Sequence, residues 1–303
     1  MTPPADRTAR STSSACRQPS DARRHFVVWS VVDSRPIGVF DSGFGGLTVA
    51  RAMFDLSPSE RIVYLGDTAR YPYGPRPAAE VRSFAVQIAR YLIDVEGVKM
   101  VVVACNTASS VALDELRATM SVPIVGVLEP GLRSALRATR SGEVGVIGTV
   151  GTISSGAYQR LAESFAGEAR VHCLACPGFV EFVERGEIAS DQVHVLAERL
   201  LSPLIDREVD TLLLGCTHYP FLARTIADVM GPQVVLVSPA EETAFDIRAI
   251  LSSRGIDRVS ATPAEHRFLS SGDVVHFAAT GRALLGPELD RAEAVHFATS
   301  PRP

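Results

Sequence analysis

The chain has 303 residues, with 30 Lys and Arg against 34 Asp and Glu and a formal charge of -4. That balance disfavours a generally basic nucleic-acid-binding protein. An apolar content of 46% with 21% charged residues excludes global disorder and fits one large or two medium globular domains. No apolar run approaches the roughly 18 residues that span a bilayer. Five cysteines, an odd number with no secretion signal, read as thiols of a cytoplasmic protein.

Residues 1–35 are rich in Ser, Thr, Pro and Arg and show no helical or strand period before Phe26, which predicts a disordered tail. Arg23-Arg24-His25-Phe26-Val27 resembles a twin-arginine export signal, but the apolar stretch after it is short, Asp33 interrupts it, and no small-x-small site follows. A later biological start near Val31 is the alternative reading of this segment. Cys16 and Trp29 fall within it and are assigned no role.

From Pro36 onward, short apolar runs alternate with longer helical patterns. Strands are predicted at 37–40, 61–65, 99–104, 123–127, 143–147, 169–174, 211–214 and 233–237. They are mostly β-branched and apolar without strict alternation, the pattern of parallel strands buried on both faces. Helices are predicted at 46–54, 77–95, 109–119, 131–138, 153–164, 179–184, 191–205, 219–230 and 239–252. This alternation predicts an α/β fold of mainly parallel sheets with right-handed crossovers.

Two stretches argue for two similar lobes. Met100-Val-Val-Val-Ala-Cys105-Asn106-Thr107 and Asp210-Thr-Leu-Leu-Leu-Gly-Cys216-Thr217-His218 each run from an apolar strand through a small residue to a cysteine and then polar residues. They lie about one domain length apart. In open α/β sheets, ligands bind outside the carboxyl ends of the strands. If the lobes face each other, each contributes one thiol to the cleft between them. A lone cysteine is usually a small buried hydrophobe; two at matched strand ends suggest chemistry.

Opposed thiols suit three tasks: a disulfide, covalent catalysis by one of them, or proton transfer on both faces of one carbon. A racemase needs a base on one face and an acid on the other, and a thiolate with a thiol supplies that symmetry. Asn106, Thr107 and the helix start after Cys105 offer donors and a positive dipole end. Thr217 and His218 follow Cys216. Asp41-Ser42 ends the first strand, where a carboxylate could handle a proton or hold an ammonium group. Gly43, Gly45 and Gly46 then permit close backbone approach. The glycine run lacks both the dinucleotide fingerprint and the phosphate-loop lysine. No pyridoxal-phosphate lysine context or metal-ligand cluster is visible either.

Five motifs in order then match a known family: Phe40-Asp-Ser-Gly-Phe-Gly-Gly-Leu-Thr48, Pro72-Tyr73-Gly74, Ala104-Cys-Asn-Thr-Ala-Ser109, Val146-Ile-Gly-Thr-Val-Gly-Thr152 and Gly215-Cys-Thr-His-Tyr-Pro220. Over nearly all of residues 36–295 the chain resembles the glutamate racemases, cofactor-independent enzymes that make D-glutamate for bacterial peptidoglycan. The resemblance implies that Cys105 deprotonates D-glutamate and Cys216 deprotonates L-glutamate, with Asp41 assisting the first and His218 the second. It implies substrate contacts from Asp41, Ser42, Tyr73, Gly74, Asn106, Thr107, Thr149, Thr152, Thr217 and His218, an auxiliary role for Glu184, and no cofactor or metal. The implied lobes are residues 36–130 with 239–295, and residues 131–238, leaving 296–303 as a tail. A homodimer is implied as well. Some members are reported to inhibit DNA gyrase, and no feature of the sequence bears on that second role. The alternatives are an aspartate or related racemase of the same fold, a regulatory binding protein, and a cysteine hydrolase using Cys105 with a histidine.

Cys173-Leu-Ala-Cys176 is a single C-x-x-C with no second pair and reads as structural. His172, His194, His266, His276 and His296 are scattered without metal spacing.

Overall fold

The computed structural model describes residues 33–165, 167–260 and 262–297. Most of the tail reading, with Cys16 and Trp29, lies outside the described residues. At its inner end the reading needs correction, because the Asp33 carbonyl accepts from Lys99 Nζ at 2.9 Å and anchors the chain.

The strands are β1 (Ile37–Asp41), β2 (Ile62–Gly66), β3 (Met100–Val103), β4 (Ile124–Gly126), β5 (Glu143–Gly148), β6 (Arg170–Ala175), β7 (Thr211–Gly215), β8 (Val235–Val237), β9 (Arg267–Ser270) and β10 (Glu293–Ala294). The helices are α1 (Leu47–Leu56), α2 (Ala78–Asp94), α3 (Asn106–Thr119), α4 (Leu128–Ala138), α5 (Val150–Ser154), α6 (Ala157–Ser164), α7 (Phe179–Glu184), α8 (Asp191–Ile205), α9 (Ala223–Met230), α10 (Pro239–Arg254) and α11 (Val274–Leu285). A 3-10 turn, Tyr219–Leu222, leads into α9.

A six-stranded sheet runs β10-β9-β2-β1-β3-β4 and a four-stranded sheet runs β6-β5-β7-β8. Every described pairing is parallel. The block β2-β1-β3-β4 has the same winding as β6-β5-β7-β8, so the two sheets are topological copies, with β9 and β10 added at the edge of the first. β3 and β7 are therefore equivalent strands, and each is followed by a cysteine.

The strand sequences are continuously apolar because both faces are covered. On β1 and β3, Ile37, Val39, Met100 and Val102 face a core shared with α1, α4 and α10; Phe40, Val101 and Val103 face α2 and α3. The first of these cores continues through Val144, Val146 and Leu213 of the second sheet, so one apolar body joins the lobes. Ile147, Leu212 and Leu214 cover the opposite face with α8 and α9. Each such side chain contributes about 1.5–3 kcal/mol on burial. β6 departs from the expectation of two-sided burial: it is an edge strand, and its residues are half-exposed or exposed.

β9, β10 and α11 were not foreseen, and two predicted helices change shape. The helix expected at 109–119 begins at Asn106, capped by Cys105 itself, whose sulfur accepts from Ala108 N. The helix expected at 153–164 is two, because Gly156 takes a left-handed φ of 68° and breaks it into α5 and α6. Beyond β10, Phe297 of the supposed tail packs on Tyr91 and under the Arg70 guanidinium. Among the described residues, no helix is long and apolar enough to cross a membrane.

Candidate active site

Parallel sheets leave a crevice where neighbouring strands send their connections to opposite sides. In the first sheet that point lies between β1 and β3, in the second between β5 and β7. The residues at those strand ends are Asp41 and Cys105 on one side, Thr149 and Cys216 on the other. Both sulfurs open into one cavity of about 90 Å³, room for more than a single water. The cysteines belong to different apolar cores yet share this space, and both are free thiols. The disulfide reading of the pair is not what the structure holds.

Ser42, Tyr73, Gly74, Cys105, Asn106, Thr107, Thr149, Cys216, Thr217 and His218 all form the wall. Three residues from the sequence reading stand behind it. Asp41 is fully buried, accepts from Gly43 N at 2.9 Å, and faces Thr217 Oγ1 at 3.3 Å across the lobes. Thr152 is buried under a three-hydroxyl cluster. Its Oγ1 lies 3.1 Å from Thr107 Oγ1 and 2.9 Å from Thr149 Oγ1, and the latter two are 2.9 Å apart. Glu184, at the end of α7, reaches His218 Nε2 at 3.2 Å.

Two glycines let these elements meet. A Cβ on Gly45 would sit 2.3 Å from Thr217 Oγ1 and 2.7 Å from His218 Nδ1, so the bare backbone admits both residues from the other lobe. A Cβ on Gly151 would meet the Gly74 carbonyl oxygen at 2.7 Å; instead Gly151 N donates to that carbonyl at 2.9 Å and ties the first turn of α5 to the Tyr73-Gly74 loop.

The two thiols have different surroundings. Burial first, and then the Asp41 carboxylate, pushes the Cys105 thiol up to about 12; Ala108 N and the Ser42 hydroxyl, 3.8 Å from the sulfur, oppose this. Cys216 lies beside His218. Burial disfavours charge on that imidazole, but hydrogen bonds to Cys216 and Glu184 and the charge of Asp41 outweigh burial and lift it to about 10. Burial also raises Asp41, with His218 pulling the other way. One side of the cavity thus favours a neutral thiol, while the other holds an imidazolium against a sulfur.

Tyr73 is placed differently from a simple substrate hydroxyl. Its OH donates to Asp67, which also accepts from Arg70 Nε and Ser271 Oγ, so the side chain braces the loop. Other wall residues had no sequence signal. The Tyr71 ring lies 5.9 Å from the His218 ring, and burial followed by Glu184 raises its hydroxyl pKa. Cys176, read as structural, is part of the wall, with burial pushing its thiol up to about 12. Tyr158 of α6 lies behind the wall, and Asn106 Nδ2 donates to its hydroxyl at 3.0 Å. Asn106 Oδ1 is buried without a hydrogen-bond partner among the described residues.

Comparison with known proteins follows the same residues. The Asp/Glu/hydantoin racemase family model matches residues 45–244. The glutamate racemase of Acidothermus cellulolyticus is 51% identical over 257 residues, covering 84% of this chain and 96% of its own. A glutamate racemase isoform from Bacillus anthracis superposes with a TM-score of 0.82 at 39% identity, covering 88% of this chain and 98% of its own. The enzyme from Francisella tularensis, solved in complex with D-glutamate, gives a TM-score of 0.80 at 34% identity, with 87% and 98% covered.

Proposed function

The chain belongs to the Asp/Glu/hydantoin racemase family and, within it, to the glutamate racemases; from that premise we propose that Cys105 and Cys216 interconvert L- and D-glutamate as a paired acid and base, without a cofactor. The observation that carries the reading is the single cavity into which both sulfurs open from equivalent strands of two sheets.

In the L-to-D direction the Cys216 thiolate takes the α-proton. The C–H bond breaks, an S–H bond forms, and the electron pair spreads from Cα into the α-carboxylate. The Cys105 thiol then delivers its proton to the opposite face and is left as thiolate. The reverse direction exchanges the roles. His218, held charged, stabilises the Cys216 thiolate, and Glu184 holds His218. Asp41 acts from behind the wall: its charge sets the thiol character of Cys105, and it steadies Thr217.

The developing carbanion needs preorganised donors, each worth roughly 3 kcal/mol when deleted. The first-turn amides of α3 are unpaired by helix geometry and lie beside Cys105, where the α-carboxylate is received. The Thr107, Thr149 and Thr152 hydroxyls receive the side-chain carboxylate. Aspartate, one methylene shorter, cannot span both groups, so its kcat/KM falls by at least about 10–200-fold.

Racemisation in deuterated water, without added cofactor, tests the proposal: solvent deuterium enters Cα of either enantiomer. Wild-type protein that leaves the α-proton of glutamate untouched contradicts it. The same reading makes the protein a cytoplasmic homodimer that supplies D-glutamate for the cell wall. Light scattering on the purified chain tests the dimer.

A further inference from the structure

We infer that Tyr158 is a positioning residue of this site: its hydroxyl fixes the amide of Asn106 so that Oδ1, and not Nδ2, faces the substrate. The inference rests on the glutamate racemase reading above and adds a residue to it.

Asn106 is the first residue of α3, directly after Cys105, and is 2% exposed. A side-chain amide carries two donors on nitrogen and two acceptor lone pairs on oxygen. The two ends are nearly the same size, so packing alone does not choose between them. Here the nitrogen donates to the Tyr158 hydroxyl at 3.0 Å, while the oxygen belongs to a cavity-wall residue and is buried with no partner among the described residues. A buried acceptor is costly unless a ligand supplies the donor. Both carboxylates of glutamate only accept; its α-ammonium only donates. Asn106 Oδ1 therefore meets the ammonium group.

Tyr158 is fully buried in α6, and its hydroxyl also lies 3.1 Å from where a Cβ on Gly215 would stand, at the end of the strand that leads to Cys216. It comes from the second lobe and Asn106 from the first. The hydroxyl is thus in place only when the lobes are docked, so docking and amide orientation are one event. Without the hydroxyl, the amide is free to turn its NH2 toward the cavity and repel the ammonium.

The test is Tyr158→Phe, which removes only the oxygen. Two ligands are compared: glutamate, and glutarate, which keeps both carboxylates and lacks the ammonium. The expected result is a KM for both enantiomers raised about tenfold, with kcat changed less than about threefold. The inhibition constant of glutarate stays that of the wild type, and the melting temperature stays within a few degrees. In an Asn106→Ala background, Tyr158→Phe adds no further loss. Equal weakening of glutamate and glutarate, additive losses in the double variant, or a Tyr158→Phe chain that does not fold would each overturn the inference, because the hydroxyl would then be structural. Failure of the racemase reading looks different: the wild-type chain would itself show no α-proton exchange with glutamate.

Discussion

Cys105 is a thiol at neutral pH, because burial and Asp41 push it up to about 12. His218 is charged, because Cys216, Glu184 and Asp41 push it up to about 10. The resting site therefore presents an acid on the Cys105 side and a base on the Cys216 side. Replacing either cysteine by serine lowers kcat by about 10²–10⁴, the usual weight of a general acid or base. Enantiomers have equal energy, so kcat/KM falls equally for L- and D-glutamate in each variant. Steady-state rates from both enantiomers, with circular dichroism for folding, check this; a variant crippled from one enantiomer only breaks the argument. The proton on His218 sets an alkaline limit: kcat/KM declines as pH rises through about 10, and in His218→Asn that limb disappears along with most of kcat. The same shift has a stability sign. His218 binds its proton more tightly folded than unfolded, so its contribution is complete below the model value of 6.5 and is lost as pH climbs through about 10. The gap in urea midpoint between wild type and His218→Asn should narrow over that interval; a gap that widens reverses the sign.

Elements decide which of these residues could be read in advance. Cys105 and Cys216 were legible because a buried parallel strand ending in a small residue announces its own carboxyl end, and that end is where such sheets place chemistry. Asn106-Thr107 and Thr217-His218 follow by adjacency. Tyr71, Tyr158 and Cys176 were not legible. They reach the cavity from a loop, a helix and an edge strand that only tertiary packing brings there. The start of α3 was misplaced because its cap is a cysteine, whereas Ser, Thr, Asp and Asn are the usual signals. α11 hid its period behind exposed Val275, although Asp273, which caps Val275 N and His276 N, was a readable start. β9 and β10 are short edge pieces whose alternation is too brief to register. The glycines make an element-level prediction. Gly151→Ala forces a Cβ onto a backbone carbonyl oxygen and costs about 1–3 kcal/mol of stability. Gly45→Ala pushes Thr217 and His218 and harms kcat more than melting temperature. Thermal unfolding and kcat on the pair separate the two; the opposite ranking refutes the assignment of these contacts.

At the scale of the molecule, two sheets of the same winding are joined by one apolar core and meet over a closed cavity. Cys105 and Cys216 are 4% and 6% exposed, so glutamate enters only when the lobes part. Alkylation of either sulfur by a small electrophile, followed by mass spectrometry, is accordingly slow and slows further with glutamate; fast labelling unaffected by glutamate contradicts the closed cavity. The duplication also explains why the chemistry is symmetric: equivalent strands deliver equivalent sulfurs, and only the neighbours, Asp41 on one side and His218 with Glu184 on the other, differ. The most direct test of the two-sided arrangement is a crystal structure with glutamate bound. The account predicts each sulfur about 3–3.5 Å from Cα, on opposite faces, so that the sulfurs stand about 6–7 Å apart. Both sulfurs on one face of Cα, or one of them out of contact with it, would contradict the account.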